Sequence, residues 1–317
     1  MAEAVTVEID AQYRQLREEC GLLDRSARGK LLLKGREAAE YLQGQLTNDI
    51  EALAPGDGCY AALLDRKGHM QADMRVLRPG ENEIRIDTEA ETLAATRRHL
   101  EMYKVGREVE IEDVTATRAL LSLIGPRSAD LAGVPPLPEH ACERLTVFGA
   151  ECLAVGTALG LDLFVAAGDT ATLHSALAGA GAPGVSAEAV EILRIEAGTP
   201  RFGAEMDTAT MPAEAGIVAT AVNFEKGCYI GQETVARLHY RGKPNRHLRG
   251  LRLSAPATPG AALKLGEKEV GKLGGSSVSP VRGPIALAIL RREAEPGAEL
   301  AVGEDGVTAQ VVDLPFG

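Results

Sequence analysis

The spacing of the apolar residues changes near residue 246, and this change limits the folds open to the chain. Before that point, segments with helical spacing alternate with segments of alternating polarity. After it, helical spacing disappears, and short apolar runs are separated by Gly, Pro and Ser. This pattern predicts short strands joined by turns, forming a small β-barrel of about 70 residues. We predict strands at about 248–253, 262–265, 269–273, 285–291 and 307–312.

The sequence before residue 246 predicts a larger α/β region. Its clearest element is a hairpin over Cys59–Arg78, whose second half alternates strictly between apolar and polar residues. The polar face either lines a pocket or faces water. Thr88 and Glu91 have the spacing of a capping box, which would begin a helix that ends near Tyr103. Further helices are predicted at about 10–19, 35–46, 169–180 and 186–197, and strands at about 30–33, 83–87, 108–113, 118–124 and 143–166. We therefore expect an α+β protein with domains 1–240 and 241–317.

Charge and hydropathy exclude several classes of protein. No apolar run approaches the roughly 20 residues of a membrane helix. Residues 1–12 are acidic and lack the apolar segment of a signal peptide, so we expect a cytoplasmic protein with no membrane partner. The chain has 34 Lys and Arg against 45 Asp and Glu, and this balance disfavours extended nucleic-acid binding.

The cysteines do not predict a disulfide framework or a metal site. There are five, and none has the paired spacing typical of structural zinc or of a protein-bound iron–sulfur cluster. We therefore expect no bound metal. The cysteines are Cys20, Cys59, Cys142, Cys152 and Cys228.

Cys228 lies in the segment with the most marked local chemistry, Lys226–Glu233, which reads KGCYIGQE. Gly227 and Gly231 allow a tight turn, and a short helix is predicted to begin just after the thiol. A helix N-terminus and Lys226 would both favour a thiolate and lower the pKa of Cys228. The alternative is a small, unreactive residue packed beneath a turn.

A basic segment follows the cysteine. Between Lys226 and Arg252 there are seven Lys and Arg and one acidic residue, Glu233. Positive charge concentrated in an acidic protein indicates a site for an anionic ligand, either carboxylates or the phosphates of RNA. A solvated edge strand would carry the same residues. The basic segment comprises Arg237, Arg241, Lys243, Arg246, Arg249 and Arg252.

Glu196 is placed by the pattern in the last turn of a helix, where the macrodipole disfavours a carboxylate. It therefore needs a compensating partner. A pterin offers one, because its amino group and ring N–H form a two-donor edge that a carboxylate accepts. A salt bridge to Arg194 or Arg201 is the alternative.

The segments Arg194–Gly198 and Lys226–Glu233, in this order, resemble the YgfZ-type folate-binding proteins. These are paralogues of the glycine-cleavage T-protein, an aminomethyltransferase, and relatives of mitochondrial iron–sulfur assembly factors. The resemblance covers most of the chain. Supporting matches are Tyr41–Asp49, the hairpin with Gly68 and Asp73, and Ser279-Pro280.

The resemblance implies a T-protein-like fold, with a folate-binding α/β region around a central cavity and a C-terminal β-barrel. It implies tetrahydrofolate or a one-carbon derivative as cofactor. It also implies iron–sulfur enzymes as partners, including those that modify tRNA. Glu196 is similar in position to the pterin-contacting glutamate, and Gln232 lies where the T-protein has a basic residue. Cys228 matches the family cysteine, and the remaining predicted folate contacts are Lys226, Arg237, Asn48 and Asp73.

One departure separates the paralogues. By the same resemblance, the position of the catalytic aspartate in the T-protein corresponds, within one residue, to Ala94 of this chain. An alanine side chain cannot act as an acid or base. Glu91 lies one turn earlier. The sequence therefore leaves three hypotheses: a folate-binding accessory protein for iron–sulfur enzymes, an aminomethyltransferase, and an RNA-binding module. Whether the protein is an enzyme stays open.

Overall fold

A computed structural model describes residues 2–317, with side chains from residue 8 onward. It divides into two compact units. The first comprises the chain up to Asp65, together with Gln71–Ser186 and Thr220–Ile230. The second comprises Arg66–Met70, Ala187–Ala219 and Gly231–Gly317, and so contains the region that was predicted to form a C-terminal barrel. The division into functional domains at residue 240 stays a prediction.

The first unit contains two antiparallel sheets. Its strands are β1 (Gly21–Asp24), β2 (Gly29–Lys34), β3 (Gly58–Leu64), β4 (Met70–Gly80, beginning in the second unit), β5 (Glu83–Thr88), β6 (Glu110–Asp113), β7 (Arg118–Ile124), β8 (Cys142–Val147), β9 (Ala150–Thr157) and β10 (Gly160–Ala166). One sheet has the order β1-β7-β10-β9-β8 and the other has the order β3-β4-β5-β2-β6.

Short helices cover the sheets of the first unit. They are α1 (Ala2–Glu18), α2 (Ala38–Gln43), α3 (Ala90–Tyr103), α4 (Ser128–Ala132) and α5 (Thr170–Gly179). Helices α2 and α3 pack on the second sheet, where Leu42, Leu46 and Leu100 are buried beside Leu33 and Ile86 of the strands. Helices α4 and α5 pack on the first sheet, around Leu121 and Leu163.

The second unit is built on one curled antiparallel sheet with the order β13-β12-β16-β17-β11-β15-β14. Its helices are α6 (Ala187–Glu196) and α8 (Gln232–Arg241); α7 (Val218–Ala221) lies where the chain passes back to the first unit. The sheet forms a half-barrel around a core of small and branched side chains that includes Leu251, Leu263 and Val311. Its strands are β11 (Arg246–Leu253), β12 (Ala262–Leu265), β13 (Lys268–Lys272), β14 (Ser276–Ser279), β15 (Gly283–Arg291), β16 (Glu299–Val302) and β17 (Val307–Val312).

The structure confirms the predicted hairpin and the strand-only C-terminal region. Ala72, Met74 and Val76 are buried on one face of β4, as the period of two requires. Strands β1, β14 and β16 were missed, because each has only four residues. Among the described residues, no helix is long and apolar enough to cross a membrane.

Helices α3 and α2 show why some of the predicted helix ends were wrong. Helix α3 begins after Glu89, so Thr88 does not cap it. Thr88 is instead the last residue of β5, and its hydroxyl donates to the carbonyl of Asp73 across the sheet. Helix α2 is shorter than the predicted range 35–46. Gly35 has a φ of 134°, which is not a helical value, and the helix ends at Gln43.

Candidate functional site

The ammonium group of Lys226 is held in a cage of backbone carbonyls. Its Nζ donates to Gln43 O and Leu46 O at 2.6 Å each, and to Asn48 O at 2.9 Å. These carbonyls lie at the C-terminal end of α2 and in the turn that follows, where the helix leaves acceptors unpaired. The three donors of the ammonium group are therefore matched by three acceptors.

Burial has a clear effect on this lysine. Loss of water lowers the pKa of Lys226 to about 8, against the opposing effect of the nearby Asp49 carboxylate. The ring of Tyr229 lies 4.9 Å from Nζ and covers it. The positive charge of Lys226 also acts on the thiol of Cys59. Burial raises the pKa of Cys59 to about 12, and the charge of Lys226 opposes that rise. The cage gives Lys226 a positioning role, and its contact with a folate stays a prediction.

Two side chains near the carbonyl cage also fasten the loop of residues 220–226, which leads to Lys226 and Cys228. Asn48 Nδ2 donates to Tyr60 O at 2.8 Å and to Thr220 O at 3.0 Å. Thr47 Oγ1 donates to Ala221 O at 2.5 Å. With the lysine cage, these bonds tie residues 220–226 to the segment after α2. Asn48 Oδ1 also accepts from the backbone N–H of Asp49, so its amide contacts backbone at both ends.

Cys228 lies on the exposed side of this fastened loop. Its thiol is free and the residue is exposed, whereas Cys20, Cys142 and Cys152 are buried and Cys59 is half-buried. Helix α8 begins at Gln232, four residues after the thiol. The structure therefore presents Cys228 at the surface.

Asp73 lies on β4 beside Tyr60, whose hydroxyl donates to Oδ2 at 2.7 Å. The other oxygen, Oδ1, is buried and has no hydrogen-bond partner among the described residues. Burial raises the pKa of Asp73, although the bond from Tyr60 partly opposes the rise. A buried carboxyl oxygen without a donor favours the protonated state or a donor supplied by a ligand.

The rest of the polar face of β4 is buried in an ion network. Arg75 contacts Asp87 on β5 at 2.6 Å and Asp162 on β10 at 2.7 Å. Arg28 also contacts Asp87, at 2.8 Å. This network was not predicted, because the polar face of the strand was interpreted as a pocket wall or a solvated surface. The available signal was the presence of Arg75, Asp87 and Asp162 inside otherwise apolar strands.

Glu196 is buried at the end of α6 in the second unit. Ser279 Oγ donates to its Oε1 at 2.6 Å, and Arg282 Nε lies 3.8 Å from the same oxygen. The structure places Arg194 on Glu191 and Glu205. The carboxylate of Glu196 is thus oriented by β14 and by the turn that follows it.

The other predicted residues of the second unit lie on α8 and β11. Gln232 is the first residue of α8 and is half-buried, while Arg237 is exposed. In the basic segment, Arg246 forms two bonds to Glu214, at 2.8 and 2.7 Å. Arg241 and Lys243 are exposed. The cations of this segment therefore divide into paired and solvent-facing groups.

Ala94 is exposed on α3, and so is Glu91. The opposite face of the helix buries Thr92 and Thr96. Ala94 therefore presents a methyl group on the exposed face, and its correspondence to the catalytic aspartate of the T-protein stays a prediction. Within residues 8–317, no cluster of His, Cys, Asp and Glu has the arrangement of a metal site.

The predicted site residues fall into two sets. The first unit contains Asn48, Asp73, Lys226 and Cys228; the second contains Glu196, Gln232 and Arg237. In the first unit, the hydrogen bonds of Asn48 and Lys226 tie the chain just before Cys228 to the turn after α2. In the second, Glu196 lies on α6, and Gln232 and Arg237 both lie on α8.

Comparisons with known proteins agree on one family. The family described as GCVT N-terminal domain matches residues 2–226. An aminomethyltransferase of Rubrobacter xylanophilus is 31% identical over 324 residues, covering 97% of this chain and 86% of the relative. An aminomethyltransferase of Thermus thermophilus is 31% identical over 318 residues, covering 96% of this chain and 89% of the relative.

A solved structure has the same fold. The glycine cleavage system aminomethyltransferase T of Bartonella henselae superposes with a TM-score of 0.88 at 24% identity. The match covers 98% of this chain and 89% of that one. The predicted T-protein-like fold is therefore confirmed.

Proposed function

Because the chain belongs to the GCVT-domain family and has an aminomethyltransferase-like fold, we propose that it binds a reduced folate and handles a one-carbon unit on it. Aminomethyltransferases of this family use tetrahydrofolate. We take tetrahydrofolate or a one-carbon derivative as the cofactor of this chain.

The observation that carries the proposal is the buried carboxylate of Glu196. Ser279 donates to one of its oxygens at 2.6 Å, which restricts the rotation of the group. A buried carboxylate held in this way can accept two parallel N–H donors. A pterin edge with two N–H donors matches this geometry, and such charge-assisted bonds are the stronger kind.

Calorimetric titration of tetrahydrofolate tests the proposal. We expect Glu196→Gln to weaken binding about 10- to 100-fold, which corresponds to about 1.5–3 kcal/mol for a hydrogen bond to a charged group. The control is Glu188→Gln on the exposed face of the same helix. Circular dichroism and thermal unfolding of both variants check that the fold is retained. No saturable binding to the unchanged protein, or equal binding by Glu196→Gln, contradicts the proposal.

Two activities are compatible with folate binding. The names of the curated relatives support aminomethyl transfer. Two residues support the second candidate, a YgfZ-type accessory protein for iron–sulfur enzymes, including those that modify tRNA. Ala94 offers no acid or base, and Cys228 is an exposed thiol. In this second candidate the thiol is the functional group.

One pair of assays separates the two activities. Ammonia release that requires both tetrahydrofolate and an aminomethyl-loaded lipoyl carrier protein supports the transferase. For the accessory protein, we expect Cys228→Ser to lose complementation of a strain that is deficient in iron–sulfur enzyme activity. The half-buried Cys59→Ser is the matched control. Full complementation by Cys228→Ser excludes the functional thiol.

A further inference from the structure

The guanidinium group of Arg282 has one edge without a hydrogen-bond partner. Its Nη1 donates to Gly317 O, whereas Nε is buried and has no partner among the described residues. Nη2, which shares an edge with Nε, makes no hydrogen bond within residues 8–317 either. A buried N–H without an acceptor is unfavourable, because it has lost its water without gaining a partner. The edge therefore needs an acceptor that the described part of the chain does not supply.

This unpaired edge lies beside the carboxylate of Glu196. Nε of Arg282 is 3.8 Å from Glu196 Oε1, which is close enough for charge attraction but too far for a hydrogen bond. The side chain of Arg282 is 26% exposed and that of Glu196 is 8% exposed. The pair therefore keeps a small exposed surface, and a ligand that contacts the carboxylate there also meets the guanidinium group.

Ser279 fixes the two groups relative to each other. Its Oγ donates to Glu196 Oε1 at 2.6 Å and accepts from the backbone N–H groups of Val281, at 3.2 Å, and Arg282, at 3.1 Å. One hydroxyl thus ties the turn that carries the guanidinium to the carboxylate. All of these residues belong to the second unit. The arrangement presents two carboxylate oxygens with a pair of N–H donors beside one of them.

We propose that Arg282 binds the C4 carbonyl of a pterin, so that Glu196 and Arg282 together recognise its whole hydrogen-bonding edge. The inference rests on the proposed folate binding. That edge carries the 2-amino group, the N3–H and the C4 carbonyl, which is two donors followed by one acceptor. Two carboxylate oxygens followed by a guanidinium edge give the complementary order of two acceptors and one donor.

This complementarity predicts a preference for 4-oxo pterins over 4-amino pterins. In a 4-amino pterin, an amino group replaces the carbonyl and N3 carries no proton. In the same orientation the guanidinium edge then faces a donor, and Glu196 loses one of its two donors. Sites that hydrogen-bond a ligand group strongly reject analogues that lack it, because the polar groups of the site are left unpaired. We therefore expect Arg282 to select a folate over its 4-amino analogue.

A purely electrostatic role for Arg282 makes a different prediction. If the guanidinium only compensates the charge of Glu196, its removal weakens 4-oxo and 4-amino ligands alike. If it binds the C4 carbonyl, its removal weakens only the 4-oxo ligand. A lysine at this position keeps the positive charge but has no planar pair of donors. Arg282→Met and Arg282→Lys therefore separate the two roles.

The test is calorimetric titration with tetrahydrofolate and with its 4-amino analogue, 4-amino-4-deoxytetrahydrofolate. We expect the unchanged protein to prefer tetrahydrofolate by about 100-fold or more. Arg282→Met should bind tetrahydrofolate about 10- to 100-fold more weakly, the scale of a hydrogen bond to a charged group, and the analogue within about threefold of the unchanged protein. Arg282→Lys should also lose most of the preference. The control is Arg292→Met, which removes an exposed arginine of the same unit and should leave both affinities unchanged.

Three results overturn the inference: no preference in the unchanged protein, unchanged binding of tetrahydrofolate by Arg282→Met, or an equal loss for both ligands in that variant. Circular dichroism and thermal unfolding check that each variant keeps its fold. The preference of the unchanged protein tests the inference even where a variant does not fold. Failure of the proposed function looks different, because then tetrahydrofolate does not bind the unchanged protein, or binds Glu196→Gln equally well.

Discussion

The buried ion network of the first unit and the exposed cations of the basic segment in the second unit use charge in opposite ways. In the first unit, the buried network consists of Arg28, Arg75, Asp87 and Asp162, with contacts of 2.6–2.8 Å between guanidinium groups and carboxylates. In the second, the exposed cations Arg237, Arg241 and Lys243 make no side-chain hydrogen bond within the described residues. The basic segment is conspicuous in the sequence and the network is not. Burial, rather than local charge density, therefore decides which charges hold the fold together.

The difference follows from the energetics of desolvation. A charge removed from water is destabilising unless a partner compensates it, so loss of one partner from a buried pair is costly. An exposed charge keeps its water, and its removal changes stability little. The predictions below test this contrast, from the largest expected effect to the smallest.

Asp87→Asn should have the largest effect, because Asp87 is 1% exposed and contacts two arginines. We expect the free energy of unfolding to fall by about 3–5 kcal/mol, measured by urea denaturation. Glu81→Gln is the control: its carboxylate lies 3.9 Å from Arg78 and is 79% exposed. That variant should differ by less than about 0.5 kcal/mol. Equal stability of the two variants would remove the distinction between the two groups of charges.

Low pH should abolish the contribution of Asp87 to the free energy of unfolding. Burial by itself raises its pKa, but Arg75 and Arg28 outweigh burial and hold the pKa well below the usual range. A carboxyl whose pKa is depressed by folding stabilises the protein fully above its unfolded pKa of about 3.9. That stabilisation is lost as the pH falls from there toward the folded pKa. The stability difference between the unchanged protein and Asp87→Asn should therefore be constant from pH 7 to 5 and shrink below pH 4. A difference that grows in acid contradicts the assignment.

Lys226→Met tests a lysine of the Lys226–Glu233 motif whose ammonium group, like the charges of the buried network, is held by protein groups in place of water. We expect local opening of residues 43–49 and 220–230 to become easier by about 2 kcal/mol, the scale of a charged hydrogen bond. This corresponds to roughly 30-fold faster amide exchange, measured by hydrogen exchange with mass spectrometry. The control is Lys34→Met, an exposed lysine of the same unit with one ion pair at 3.6 Å. Exchange that rises equally in both variants would mean that the carbonyl cage does not fasten the loop.

Arg241→Gln should have the smallest effect. Arg237 and Arg241 are four residues apart on α8, so their repulsion destabilises the helix by a few tenths of a kcal/mol. Arg241 lies in the last turn, where the helix dipole favours a cation by a similar amount. The two effects oppose each other, and we expect a change within about 0.5 kcal/mol in thermal unfolding. A loss above about 1 kcal/mol would show that α8 is held by its charges.

Particular elements show how far sequence patterns reach. The period of two in β4 predicted both the strand and its buried face, since alternation has one structural meaning. The sequence left two interpretations of Cys228 open, a reactive thiol or an unreactive residue packed beneath a turn. The structure shows that the residue is exposed, and its reactivity stays a prediction. Thr88 was predicted to cap α3, but its hydroxyl bonds to β4 instead. Local spacing could not reveal a partner that lies across the sheet.

The sequence by itself determined the T-protein-like family and the strand-only C-terminal region, whereas its candidate site residues stay predictions. Periodicity and a long motif carry that information because both are local. Tertiary structure alone decided which groups these residues contact. The acceptors of Lys226 lie 178 to 183 residues away and are backbone carbonyls, and every residue has a carbonyl, so such a cage leaves no signature in sequence.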